Sequence, residues 1–485
     1  MIDLVSPGAR LVDAATGAVL TGDELGQRVA AAAAEAAQVP GVLFAHLPLT
    51  VDAIVGYLGA LRAGRPICLL DPDLHDDIRD GLIGRFEPNV VSGGRTDPPA
   101  GYAEHIYAGQ RAWLRETPST VAPHPDLALL LTTSGSTGDP KLVRLSSTAV
   151  EANARAIAAA LGIDGGGVAV TSLPLFYSYG MSVLNSHLIS GATVLVQPRT
   201  LLEREFWQDI VGHGVTSMAA VPYQYEMLRR LRFDPNRYPT LRTLTQAGGR
   251  LRAELIEDFH GRMSAVGGRM FVMYGQTEAG PRMTTLPADQ LPAKLGSVGL
   301  ALPGTGLSIR TDDQTETTEP QVTGEVIFRG PNVMMGYAQS AADLANPDEL
   351  GGRLSTEDLG YLDAEGCLWI TGRIKRMGKV FGIRVNLDDV ERLLAGCPPV
   401  AAVPGDDRLV VFVESAEEHW PAKIKAHLAD QLGIHSSGFD VRSVTALPLL
   451  PNGKVDYRSL AGGTAGVGPP SSLPDRAGAD EGGSA

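Results

Sequence analysis

The chain has 485 residues, with 41 basic against 55 acidic side chains. The formal charge of −14 argues against nucleic acid or an anionic membrane surface as a main partner. Hydrophobic residues make up 44%, which excludes wholesale disorder, and three distant cysteines, Cys68, Cys367 and Cys397, exclude a disulfide scaffold or a cysteine-rich zinc site and fit a reducing cytoplasm.

The N-terminus has no basic region followed by an apolar run, and no stretch reaches about 18 apolar residues, so neither a secretory signal nor a membrane span is expected. Residues 24–38, rich in alanine, read as a helix. GVLFAHLPL (41–49) reads as a buried strand, residues 51–64 as a helix closed by Gly64, and PICLLDP as the next strand. Strand, helix, strand at this spacing is the βαβ pattern of a parallel sheet. It recurs with strands at 127–134, 167–175, 192–197 and 270–275 and helices at 146–162 and 181–190. After about residue 300, short strands alternate with Gly- and Asp-rich turns, a small β-rich subdomain. Beyond Arg373 a βαβ-like unit follows, and residues 461–485, rich in glycine and poor in large apolar side chains, read as a disordered tail. The 57 glycines and 33 prolines follow no period and signal loops. The expected architecture is α/β: a large N-terminal domain of layered α/β subdomains over 1–373, its β-rich part at about 300–373, and a small α+β domain over 374–460.

The apolar strand LLLT runs directly into Thr133, Ser134, Gly135, Ser136, Thr137 and Gly138, then Asp139-Pro140-Lys141. Glycines let the backbone turn and present successive N–H groups, hydroxyls add donors, and the lysine adds a point charge. These are the parts of a phosphate cradle. It is not the P-loop pattern, because Lys141 follows no glycine and no Ser or Thr follows it.

This stretch resembles the signature of adenylate-forming enzymes: acyl- and aryl-CoA synthetases, nonribosomal peptide synthetase adenylation domains and luciferases. Further stretches follow in the family's order. QAGGRL resembles its adenine-contacting turn, with Gly248 and Gly249 against the base. MYGQTEAGPRMT resembles the YGxTE motif. The resemblance implies that Tyr274, Gly275 and Gln276 lie by the nucleotide, Thr277 bonds the α-phosphate and Glu278 holds Mg²⁺. A carboxylate suits that hard cation. GEVIFRGPNVMMGY resembles a structural strand pair beneath the site. In STEDLGYLDAEGCLWITGR the resemblance makes Asp358 the acceptor for both ribose hydroxyls and Arg373 a ribose or phosphate contact. It places Lys375 at the hinge of a mobile C-terminal domain, Lys379 near the adenylate, Gly382 beside a pantetheine tunnel, and Lys454, in LPLLPNGKVDYRSL, on the reacting carboxylate.

The implied reaction is attack of a carboxylate on the α-phosphate of MgATP, giving an acyl-adenylate and pyrophosphate. No base is needed, because a carboxylate is already ionised at neutral pH. Lys141, Lys454, Thr277 and Glu278 are the implied catalytic set, and rotation about Lys375 would admit a thiol of CoA or of a phosphopantetheine carrier protein. LPLFYSYGMS resembles the pocket stretch of acyl- and aryl-CoA ligases and lacks the F-D pattern that places an aspartate for an α-ammonium, so an α-amino acid is disfavoured. Tyr177 stands where the family usually has histidine, and Leu142 where it has glycine. Pocket candidates are Tyr177, Tyr179, Ser182, Val221, Tyr223 and Tyr274, and the substrate is a small-molecule acid. Two other readings remain: an adenylating enzyme that serves an amine or another nucleophile, and a non-catalytic AMP-binding protein. Oligomeric state has no sequence signal.

Overall fold

The computed structural model describes the chain except residues 1, 94–97, 133–140, 375, 382, 451–453 and 463–485, and the side chain of residue 384. The chain divides into two compact units, Met1–Thr371 and Gly372–Ala485.

The described residues of the first unit form three sheets, the last strand of the third running on to Arg373. In one, Leu43–His46, Ile67–Leu70 and Leu127–Thr132 run parallel, and Val90–Ser92 joins Leu43–His46 on the other side. The strand Leu142–Ser146 folds back antiparallel on Leu127–Thr132 and takes Gly336–Ala338 as its own outer partner. In the second sheet Arg10–Asp13, Thr193–Val196, Val168–Val170, Ser217–Ala220, Thr243–Gln246 and Arg269–Tyr274 are parallel, with Thr284–Leu286 antiparallel after them. The third sheet is five-stranded and includes Gly324–Arg329, Arg353–Leu362 and Leu368–Arg373. It is the β-rich element expected beyond residue 300.

One apolar core joins the first two sheets: Leu43, Leu69 and Leu131 meet Leu184, Leu188 and Val194 within a single buried cluster. Two helices packed into this core are covered on every side. Val51–Ala63 is buried without interruption from Ala53 to Leu61, and Ser178–Ile189 is buried throughout. For Val51–Ala63 that accounts for a near-continuous apolar sequence, where a surface helix would show an apolar stripe, while Ser178–Ile189 buries Ser178, Ser182, Asn185, Ser186 and His187 among its apolar residues. Their ends follow the local chemistry. Thr50 Oγ1 accepts from Ala53 N–H at 3.3 Å, Ser146 Oγ caps Ser147–Leu161 through Ala149 N–H at 3.1 Å, and Gly64 and Gly162 close their helices in the left-handed conformation.

The second unit has a hairpin, Met377–Val380 with Ile383–Asn386, and a three-stranded sheet of Val400–Pro404, Leu409–Glu414 and Phe439–Val444. Helices Leu387–Leu393 and His419–Leu432 pack Val390, Ile424 and Leu428 onto it. The α/β fold with a large first and small second unit is as expected. Among the described residues no helix is long and apolar enough to cross a membrane.

Candidate active site

Tyr274, the Gly248–Gly249 turn and Val221 lie at the C-terminal ends of parallel strands of the second sheet, where open α/β sheets place their ligands, while Lys141 and Asp358 come from the first and third sheets. Lys141 directly precedes Leu142–Ser146, while Thr133, Ser134, Gly135, Ser136, Thr137 and Gly138 lie outside the described residues. The Lys141 ammonium lies 5.6 Å from the ring centroid of Tyr337, and the Tyr337 hydroxyl donates to Glu278 Oε1 at 2.7 Å. Tyr337 opposes Val143 in the register of the strand pair, so Lys141, at the entry to one strand, comes beside Tyr337 on the other. Arg144 secures that pair. Its buried guanidinium donates to Glu349 Oε1 and to the Asn346 carbonyl, both at 2.6 Å, and to the Met335 carbonyl at 3.3 Å. Burial and the neighbouring Glu278 carboxylate push the Tyr337 hydroxyl above its ordinary pKa, so it stays a donor at neutral pH.

Arg269–Tyr274 ends at the nucleotide motif. The Tyr274 hydroxyl and Gln276 Nε2 both donate to Asp358 Oδ2, at 2.5 and 2.7 Å, and Gln276 also donates to the Thr356 carbonyl at 2.8 Å. Asp358, on Arg353–Leu362, is thereby tied to the YGxTE turn across 84 residues of sequence. Thr277 and Glu278 lie in the short 3₁₀ turn Thr277–Ala279, and Thr277 Oγ1 is 3.2 Å from Ser178 Oγ. Gly275 precedes that turn between Tyr274 and Gln276. The Gly248–Gly249 turn follows Thr243–Gln246, whose Gln246 side chain donates to the Gly249 carbonyl at 2.7 Å. Gly248 has φ +84°, and a Cβ there would stand 2.3 Å from the Tyr177 hydroxyl and 3.2 Å from Val221. Only glycine leaves room for Tyr177 against this turn.

The pocket candidates divide. Tyr177 and Tyr179 meet edge to face at 6.3 Å, Val221 is buried beside them in one cluster, and Ser182 lies one turn further along the helix. The Tyr179 hydroxyl is engaged with Thr245 Oγ1 at 2.8 Å. Tyr223 is 46% exposed, and among the described residues no ring contact or hydrogen bond joins it to the others. Sequence reasoning passed over two residues here. Tyr337 was in a stretch read as structural support, and Arg282 was inside the quoted motif without a role. Arg282 is buried against Tyr179.

In the second unit, Lys379 is an exposed residue of Met377–Val380, and Arg373 is exposed at the end of Leu368–Arg373. Lys375 and Gly382 lie outside the described residues. Lys454 is exposed, and its carbonyl accepts from Leu450 N–H at 2.7 Å in a loop closed by a bridge between Leu449 and Val455. Arg376 ties this end of the chain down. Its guanidinium lies 4.0 Å from the Tyr457 ring centroid, bonds Glu391 at 2.8 Å and pairs with Asp388, while Tyr457 donates to Glu391 at 3.1 Å.

Among the described residues no cluster of three or more His, Cys, Asp or Glu could hold a metal by itself. A lone carboxylate at Glu278 fits Mg²⁺, which binds through one or two carboxylates and completes its shell with phosphates and water.

Residues 11–338 match the family model of AMP-binding enzymes, and the chain belongs to that family. Indoleacetate–CoA ligase of Aromatoleum aromaticum is 33% identical over 287 residues, 58% of this chain and 54% of that protein. Sulfoacetate–CoA ligase of Cupriavidus necator is 30% identical over 352 residues, 70% of this chain and 67% of that protein. The chain thus spans about half the length of the first of these relatives. A structure of o-succinylbenzoate CoA synthetase from Bacillus subtilis with its acyl-adenylate intermediate superimposes with a TM-score of 0.73 at 22% identity, over 93% of this chain and 94% of that one. The two share the fold.

Proposed function

We propose that this chain is an AMP-forming acid–thiol ligase. A carboxylate oxygen attacks the α-phosphorus of ATP, the bond to the β-phosphate breaks, and pyrophosphate leaves; a thiolate of CoA then attacks the acyl carbon and releases AMP. The observation that carries the reading is the joining of Lys141 and Glu278 through Tyr337, beside Asp358 held by Tyr274 and Gln276. A cation for phosphate, a carboxylate for Mg²⁺ and a carboxylate for ribose are the separate needs of bound MgATP.

In this reading Gly248 and Gly249 border the adenine, Asp358 accepts the ribose hydroxyls, Arg373 contacts ribose or phosphate, and Thr277 donates to the α-phosphate. The cradle 133–138 with Lys141 receives the outer phosphates. Mg²⁺, when bound at Glu278, neutralises charge on the phosphates. The Lys454 ammonium meets the reacting carboxylate and α-phosphate, where charge builds in the transition state. The second unit, turning about Lys375, exchanges Lys454 for the face carrying Lys379 and Gly382. The names of both relatives support CoA as acceptor; a carrier protein would use the same pantetheine chemistry. Three unpaired cysteines and the acidic charge support a cytoplasmic setting.

The test is pyrophosphate release over a panel of acids, followed by mass spectrometry with CoA, a carrier protein and amines. Release with some acids and a CoA thioester are expected. Lys454→Ala should cut release at least a hundredfold, about 2.7 kcal/mol of transition-state stabilisation, with ATP binding retained. Unaltered release would remove the role given to Lys454, and an acyl product only on amines would replace the thiol by another nucleophile.

A further inference from the structure

Among the described residues Arg282 is a charge without a counter-charge. It is 2% exposed. Its Nη1 donates to the thioether of Met273 at 2.7 Å and its Nη2 to Ser182 Oγ at 3.2 Å, and its guanidinium carbon lies 4.3 Å from the Tyr179 ring centroid. Its Nε has no partner among the described residues. A guanidinium carries five N–H donors, and here they meet a thioether, a hydroxyl and an aromatic face. Burial opposes the charge, and no carboxylate among the described residues answers it. The other buried arginines differ: Arg144 has Glu349, and Arg79 has Asp76 and Asp80. A buried charge is ordinarily paired, because an unpaired one forfeits its hydration with no return.

The position of this charge gives it a use. Tyr179 and Ser182, which touch it, lie on the helix that begins after Tyr177. From Tyr179 the ring contacts lead to Tyr177, and from Tyr177 to the Gly248 turn. Ser178, on the same turn of helix, reaches Thr277, the expected α-phosphate contact. Arg282 therefore lies behind the Tyr177–Tyr179 wall, one helical turn along from the Ser178 that reaches Thr277. We propose that the acid activated here carries a second anionic group, a carboxylate or a sulfonate, at its far end, and that Arg282 receives it. The inference rests on the adenylation reading for its substrate and on Arg282 alone for the second charge. A bidentate carboxylate would fill the donors left idle, and the two tyrosine rings would flank the connecting segment.

The experiment has two readouts on the full chain. Pyrophosphate release is measured with matched acids of equal length that end in a methyl group, a carboxylate or a sulfonate, and binding of the same acids is measured by calorimetry in the presence of AMP. The expected result is a preference of at least a hundredfold in kcat/KM for the acids with a second anion, with carboxylate and sulfonate arms showing which is taken. Arg282→Met should abolish that preference through KM for the acid, with KM for ATP unchanged, and Arg282→Lys should restore part of it. Preference for the methyl-ended acids by the unaltered chain overturns the inference and leaves adenylation standing. So does an Arg282→Met variant that keeps the preference. Calorimetric binding of the dianionic acids that Arg282→Met loses, without pyrophosphate release from any acid, supports the anion site and overturns adenylation. Neither release nor binding overturns both.

Discussion

Tyr337 uses both ends of its ring. The negative face attracts the Lys141 ammonium, and the hydroxyl donates to Glu278, so one side chain spaces a cation and an anion that would otherwise close on each other. Tyr337→Phe keeps the face and removes the donor. A hydrogen bond to a charged acceptor is worth about 1.5–3 kcal/mol, so the Mg²⁺ concentration for half-maximal adenylation should shift by about ten- to a hundredfold while the acid KM stays put. An unchanged Mg²⁺ titration would deny Glu278 its metal role. Lys141, Glu278 and Asp358 were legible in the sequence because each stands at a fixed letter of a motif. Tyr337 and Arg282 were not, because their meaning lies in what surrounds them: a facing strand in one case, a burial without an acid in the other.

The helix Ser178–Ile189 shows the same limit among elements. Its sequence suggests a start at Met181, yet the helix begins at Ser178. Gly180 is there for contact and not for turning, since a Cβ would stand 2.2 Å from the Pro174 carbonyl. The strands at 41–49 and 127–134 were legible as apolar runs. Arg10–Asp13 was not, because its long-range partner in the sheet is Thr193–Val196, far along the chain. The buried helix also carries a titrating group. His187 bonds the Val183 carbonyl at 2.8 Å and Ser217 Oγ at 3.1 Å. Burial, opposed by the Val183 bond and assisted by the charge of Arg282, brings its pKa down to about 4. The folded value lies below the ordinary 6.5 of the unfolded chain, so the unfolded chain takes the proton first as pH falls. Stability is therefore full above pH 6.5 and is lost on the way down to 4. From neutrality to pH 5 the loss is about 2 kcal/mol. Urea midpoints at the two values should show it, and His187→Gln should flatten the difference; an equal drop in that variant would assign the acid sensitivity elsewhere.

At the scale of the molecule, two units with separate cores suit a reaction with two nucleophiles in turn. The division falls between Thr371 and Gly372, inside the strand Leu368–Arg373, a few residues before the lysine expected from sequence to be the hinge. Adenylation and thioester formation should then fail separately. Gly382→Trp should cut thioester formation by at least tenfold and spare pyrophosphate release, and equal loss of both would sink the two-step alternation. The net charge also acts at this scale. ATP approaches a chain of −14, so its capture should depend on the local cations Lys141, Arg373 and Lys454.

The bonding of Arg376 to Tyr457 and Glu391 has a mechanical reading. Arg376 comes one residue after the expected hinge, and Tyr457 three residues after Lys454. The start and the finish of the second unit are therefore bolted together, and the strand with Lys379 and the loop with Lys454 ride on one frame. If the second unit turns as proposed, Lys379 and Lys454 should therefore move together, withdrawal of one accompanying arrival of the other.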